Sequence, residues 1–152
     1  MPDTIDGLVR AQARLGAKPF VIDTGARLSY ADLDRGTIEL ASGFLAAGVT
    51  KGSRVGLIMP NGVRWVQIAV ALTRIGAVLV PLSTLLTGRE LAAQLEVASV
   101  RDLIAVEEFR GHRYLDDVRA MLPDLPALQR LWLADALPAA PADQLVAELA
   151  DT

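Results

Sequence analysis

The 152-residue chain has no cysteine and a single histidine, His112. The first absence excludes a disulfide framework and a thiolate metal site. The second excludes a multi-histidine metal centre. Strong charge of either sign is missing too. The net charge is −3, so no basic surface advertises nucleic acid or acidic lipid, and no nucleic-acid partner is expected. No apolar run reaches membrane-spanning length, because Arg74 interrupts the longest one, Val63 to Leu82. The N-terminus carries Asp3 and Asp6 without a continuous apolar core, which is wrong for a secretory signal. A soluble cytoplasmic protein is the expectation. Neither G-x-G-x-x-G nor G-x-x-x-x-G-K-[ST] occurs. Nothing here by itself binds ATP, a metal or a nicotinamide.

What is present is apolar residue, 52% of the chain, much of it Ala, Leu and Val. That is enough for one domain with a core. The chain is organised around residues 54–81. A short apolar run, Val55 to Met59, is broken by Pro60-Asn61-Gly62. An apolar segment of helical length follows, Val63 to Ile75, then Gly76 and a second run, Val78-Leu79-Val80. Strand, crossover helix and strand fit this layout, the unit of a parallel sheet. Because the helix is apolar nearly all round, it is expected to be buried, with Arg64, Gln67, Thr73 and Arg74 seeking solvent.

The flanks extend the pattern. Asp3 or Thr4 can cap a first helix that Gly16 ends. Pro19–Ile22 and Arg27–Ser29 read as a hairpin around the turn residues 23–26. Ser29 and Asp32 have capping-box form. They open a helix to Ala47 with Leu33, Thr37, Leu40, Ala41 and Phe44 as its buried stripe. Gly36 and Gly43 each cost such a helix roughly 1 kcal/mol, and close approach of another backbone is the expected compensation. Gly48 suits a left-handed cap with Val49 packing beyond it. Thr87 and Glu90 form a second capping box, opening a helix with Leu91, Gln94, Leu95 and Ala98 on one face. Leu103–Val106 is a third strand. A helix from Tyr114 to Met121, stopped by Leu122-Pro123, and a strand from Leu128 to Leu133 complete the reading. The fold class is therefore α/β, a mostly parallel sheet with helices on both faces and a small edge hairpin. Residues 1–133 form the α/β subdomain. Residues 134–152 read as a linker and the start of a truncated following segment, since the pattern at Gln144–Leu149 stops unfinished.

In parallel sheets ligands bind beyond the carboxyl ends of the strands. Those ends hold Asn61-Gly62, Ser83-Thr84 and Glu107-Glu108. Asn61 can hydrogen-bond a polar ligand beside a helix N-terminus that favours anions, or simply cap that helix. Ser83 and Thr84 read as loop residues satisfying local backbone groups, with no nearby base to make either a nucleophile. Adjacent on a strand, Glu107 and Glu108 diverge and read as a solvated exit. His112 reads as a surface residue; Trp65, Trp132 and Tyr30 read as packing residues.

Five segments stand in order: Leu28 to Leu33, Lys51 to Val55, Met59-Pro60-Asn61 with Trp65 four residues on, Gly76 to Leu82, and Leu86-Thr87 with Glu90-Leu91. Together they resemble the N-terminal region of the AMP-forming adenylating enzymes, and within them an acyl-CoA synthetase (fatty-acid–CoA ligase). The resemblance covers Thr4 to Val106. It implies a parent enzyme of fatty acid metabolism that uses ATP, Mg and CoA. A carboxylate attacks the α-phosphate of ATP, and the CoA thiol then displaces AMP. In the family the Ser/Thr/Gly-rich phosphate loop, the adenine-binding segment and the catalytic lysine of a mobile C-terminal domain lie further along than Thr152. The resemblance thus implies a scaffold portion with no catalytic or metal-ligating residue. No cofactor is expected on this chain alone, and the fatty-acid substrate is expected to be met by the remainder of the enzyme. The chain departs from the family at Ser83-Thr84, commonly Asn-Pro, and at Gly62, usually a small polar residue; Leu85-Leu86 is more apolar than typical. The alternative is a complete noncatalytic module that forms a homo-oligomer or binds a partner through an uncovered apolar face of the 63–75 helix.

Overall fold

The computed structural model describes residues 1–137. The expectations for Gln144–Leu149 and most of the linker lie outside the described residues. The described chain falls into two compact units. One comprises Met1–Lys51 and Asn61–Ala77, the other Gly52–Pro60 and Val78–Leu137.

The first unit is a helical cluster with a hairpin. Thr4 caps α1 (Ile5–Gln12), its hydroxyl accepting from the Gly7 amide at 3.0 Å, and a 3₁₀ turn runs to Leu15. β1 (Pro19–Ile22) and β2 (Arg27–Ser29) pair antiparallel, Val21 opposite Leu28 and Ile22 opposite Arg27. One oxygen of Asp23 accepts from the Gly25 and Ala26 amides at 2.8 and 2.7 Å, which closes the turn. α2 (Tyr30–Ala46) follows, capped by the Ser29 hydroxyl on the Asp32 amide at 3.1 Å. Only this half of the expected capping box forms a backbone bond, because the Asp32 carboxylate takes Arg35 instead. Leu33, Thr37, Leu40, Ala41 and Phe44 are all buried, so the expected stripe faces the interior.

α3 (Val63–Arg74) is less uniformly buried than its composition suggests. Ile68, Ala69, Ala71 and Leu72 are buried, while Val63, Trp65, Val66 and Val70 are half-buried. Arg74 reverses the sequence expectation. It does not seek solvent; its side chain is fully buried. Nε donates to Asp6 at 2.7 Å, and Nη1 donates to the Asp34 carboxylate at 2.8 Å and to Thr37 at 3.0 Å. Nη2 lies 2.6 Å from Asp6 as an ion-pair contact without hydrogen-bond alignment. Desolvating a guanidinium is tolerable only with such partners.

Gly36 also departs from expectation. A methyl group there would meet only the end of Gln67, at 3.9 Å, an ordinary contact with no close backbone. Gly36→Ala is therefore expected to stabilise the chain by roughly 0.5–1 kcal/mol, through the helix propensity it gains. An unchanged or lowered urea midpoint would contradict that.

The second unit is a four-stranded parallel sheet in the order β4-β3-β5-β6. Its strands are β3 (Arg54–Ile58), β4 (Val78–Pro81), β5 (Asp102–Ala105) and β6 (Arg130–Leu133). β6 begins at Arg130, two residues later than its apolar pattern: the Leu128 amide still closes the turn on Leu125, and Gln129 donates to Arg101 just ahead of β5. β5 is buried at every residue, as a central parallel strand requires. Gly56 in β3 is where a side chain would not fit. A Cβ there would sit 3.1 to 3.3 Å from Leu103, Leu82 and Val100.

The full capping box forms at α4 (Gly88–Val97): Thr87 Oγ accepts from the Glu90 amide at 3.3 Å, and Glu90 returns to the Thr87 amide at 2.8 Å. Leu91 and Leu95 are buried, but Gln94 is exposed, so the inward face of α4 is narrower than expected. α5 (Tyr114–Ala120) presents Tyr114, Leu115 and Val118 to the same core as Leu91, Leu95 and Leu103. A 3₁₀ turn, Leu122–Asp124, carries Pro123 past the helix end.

Three helices end alike. After α2, α3 and α4 the turn residue is Gly48, Gly76 or Ser99, each at positive φ (93°, 72° and 50°). The next amide reaches back to the carbonyl of Phe44, Leu72 or Leu95 at 2.9, 3.1 and 3.0 Å. This is the Schellman turn, which satisfies orphan carbonyls and redirects the chain toward a strand. The sequence shows it as A-G-V, I-G-A and A-S-V. The expected α/β class, with a parallel sheet and a separate two-stranded hairpin, is what the structure has.

Candidate functional site

The parallel register puts the ends of β4, β5 and β6 on one edge of the second unit, the edge where ligands bind in sheets of this kind. After β4, the Ser83 hydroxyl accepts from the Leu85 amide at 3.2 Å, the local role expected of it. The Thr84 carbonyl accepts from the buried Tyr114 hydroxyl at 2.9 Å, which ties the β4 loop to the start of α5. Burial raises the Tyr114 pKa above the usual phenol value, opposed in part by Arg110. His112 is half-buried and stacks on Tyr114, with centroids 5.4 Å apart at 26°. It is therefore less exposed than the sequence suggests.

Glu107 and Glu108 do not simply diverge into solvent. Both approach the Arg113 guanidinium, at 3.6 and 3.8 Å, and Asp116 completes the group at 2.6 Å. Asp116, first through its hydrogen bond to Arg113, is held below the ordinary carboxylate value. Sequence reasoning missed Arg113 as the hub, and its isolated position after His112 carries no signal for it. Arg119 also reaches Asp116, at 3.4 Å, so two cations face three carboxylates and the cluster stays net negative. It is open to water, so its ion pairs contribute little to stability, and it offers no spare positive charge for a phosphate. Among the described residues no three His, Cys, Asp or Glu side chains are placed to share a metal ion. The described residues of this edge do not by themselves fit Mg–ATP.

Asn61 stands in the first unit, exposed, in the loop that follows β3. It does not cap α3. The cap position is Gly62, which has no side chain to offer. The Val63 amide instead donates to the second oxygen of Asp23, at 2.9 Å. That bond, then those from Gly25 and Ala26, hold the Asp23 carboxyl below its ordinary value. Away from the carboxyl edge, a cavity of ≈ 240 Å³ opens where the chain enters β5 and β6, lined mostly by apolar side chains such as Leu95, Val100 and Leu125. Glu96 and Ser99 also line it.

The fold and this edge define a parallel α/β scaffold whose carboxyl-end loops are held by the Ser83, Tyr114 and Arg113 contacts. The chain belongs to the family of AMP-binding enzymes, whose family model matches residues 8–151. It is 28% identical over 109 residues to the mitochondrial medium-chain acyl-CoA ligase ACSF2 of Mus musculus, covering 72% of this chain and 18% of that one. It is 35% identical over 106 residues to the acyl-CoA ligase sidI of Aspergillus fumigatus, covering 70% and 18%. The N-terminal domain of FACL13 from Mycobacterium tuberculosis superposes with a TM-score of 0.78 at 25% identity, over 95% of this chain and 36% of that one. The chain thus spans about a fifth of the length of the ligases it matches. Among the described residues no helix is long and apolar enough to cross a membrane.

Proposed function

We propose that these residues are the N-terminal scaffold portion of a cytoplasmic, ATP-dependent acyl-CoA synthetase. The parent enzyme activates a fatty acid with ATP and Mg as the acyl-adenylate and transfers the acyl group to CoA. The observation that carries this is the family match over residues 8–151 in a chain whose carboxyl-edge groups are engaged with one another. Arg113 is matched by Glu107, Glu108 and Asp116, Tyr114 by Thr84, and Ser83 by its own loop. The scaffold holds loops in place and leaves phosphate, adenine and thiol chemistry to the remainder of the ligase. The 134–152 segment links it to that remainder.

The competing reading, a self-sufficient module docking through α3, finds no support in the exposed apolar side chains. Among the described residues those are Ile22, Leu85, Val97 and others outside α3. The test is ATP–pyrophosphate exchange with a panel of carboxylic acids. The purified 152-residue chain is expected to give none above buffer, and acid-dependent exchange by this chain would overturn the assignment of a scaffold role.

A further inference from the structure

A helix opens best when the residue before it supplies a side-chain oxygen to an orphan amide; Ser, Thr, Asp and Asn do this. α3 has Gly62 in that place. The missing oxygen comes from Asp23, 40 residues earlier, in the hairpin turn. The two carboxylate oxygens divide the work. Oδ1 takes the Gly25 and Ala26 amides of its own turn, and Oδ2 takes Val63. Gly62 is part of the same device. A Cβ at that position would lie 3.0 Å from Asp23 Oδ2, too close for the carboxylate to stay where it is. Its backbone is extended, so what favours glycine there is that close approach and not conformation.

We propose that Asp23 is a positioning residue, a carboxylate latch on the first orphan amide of α3, whose cap residue Gly62 has no side chain, and that it thereby fixes the 60–62 loop that presents Asn61. That Asn61 meets a ligand rests on the ligase reading; the latch does not. Its anchors are three backbone amides on two segments, so moving the hairpin turn moves the loop.

The test is amide hydrogen exchange by NMR on the 152-residue chain. Asp23→Asn is the selective probe. Its Oδ1 keeps the turn, and an NH₂ then faces the Val63 amide, donor against donor. The Val63 amide is expected to exchange about tenfold faster, the effect of losing one charged cap bond, while Gly25 and Ala26 stay as they were. The second variant, Asp23→Ala, removes both acceptor oxygens. The Val63, Gly25 and Ala26 amides are then all expected to exchange faster, by about tenfold for Val63, and the Asn61 resonances to shift. Unchanged Val63 exchange in Asp23→Asn, or unshifted Asn61 resonances in Asp23→Ala, would overturn the latch. Neither readout depends on adenylation, so the latch and the ligase reading fail separately.

Discussion

Arg74→Ala lowers the unfolding free energy by about 3 kcal/mol, a loss on the order of 10 °C in melting temperature for a chain of this length. The guanidinium is fully buried and lies between Asp6 of α1 and Asp34 of α2, whose side chains remain 17% and 22% exposed. Removing it breaks hydrogen bonds to both carboxylates and to Thr37. It also leaves two like charges partly desolvated beside one another. Their partial exposure lets water recover some of the loss, which keeps the figure at the low end for a broken buried pair. Arg74→Lys retains the charge without the planar fork and is expected to fall in between. The measurement is a urea unfolding curve for each variant. A midpoint for Arg74→Ala within error of the parent would show that the network contributes nothing net.

Asp102→Ala is expected to cost about 2–3 kcal/mol by the same logic, acting at one place in the second unit. Asp102 opens β5 and is completely buried. Its oxygens take Arg130 through Nε and, at 3.3 Å, Nη2, together with the Trp132 indole N–H at 3.2 Å. Both partners lie on β6, which among the described residues pairs only with β5. The carboxylate therefore pins an edge strand through side chains as well as through the ladder. Trp132 provides the readout, since loss of the indole hydrogen bond shifts its emission, and faster exchange at the Trp132 and Ala134 amides, which face β5, reports fraying. Asp102→Asn keeps the shape and one acceptor, and is expected to recover roughly half of the loss. An alanine variant with full stability and unaltered β6 exchange would rule out this role.

What the sequence shows of this fold is what neighbouring residues decide. The hairpin, the Thr4 and Thr87 caps, the Gly48 turn and the buried stripe of α2 all follow from residues within a few positions of each other. The interactions missed are the long-range ones. Arg74 reads as solvent-facing because its partners lie 40 and 68 residues away. Gly36 reads as a close-packing glycine, and only the distance to Gln67 shows otherwise. Asn61 reads as the cap of α3 because nothing local discloses Asp23, although a glycine at the cap position is the one clue that the cap is supplied from elsewhere. At the carboxyl edge the loop role of Ser83 is legible from residue type, whereas Thr84 acts through its backbone carbonyl on Tyr114, 30 residues away, which residue type does not show. The Arg113 cluster is not legible either, since a charge hub has no periodicity.

The central claim, that these residues are the scaffold of a longer adenylating ligase, is tested most directly by reading the coding sequence past codon 152. The expected result is an open frame continuing into a Ser/Thr/Gly-rich segment that ends near a lysine. Such a segment would supply the phosphate-binding group that the carboxyl edge described above lacks. A stop codon directly after Thr152 would contradict the claim.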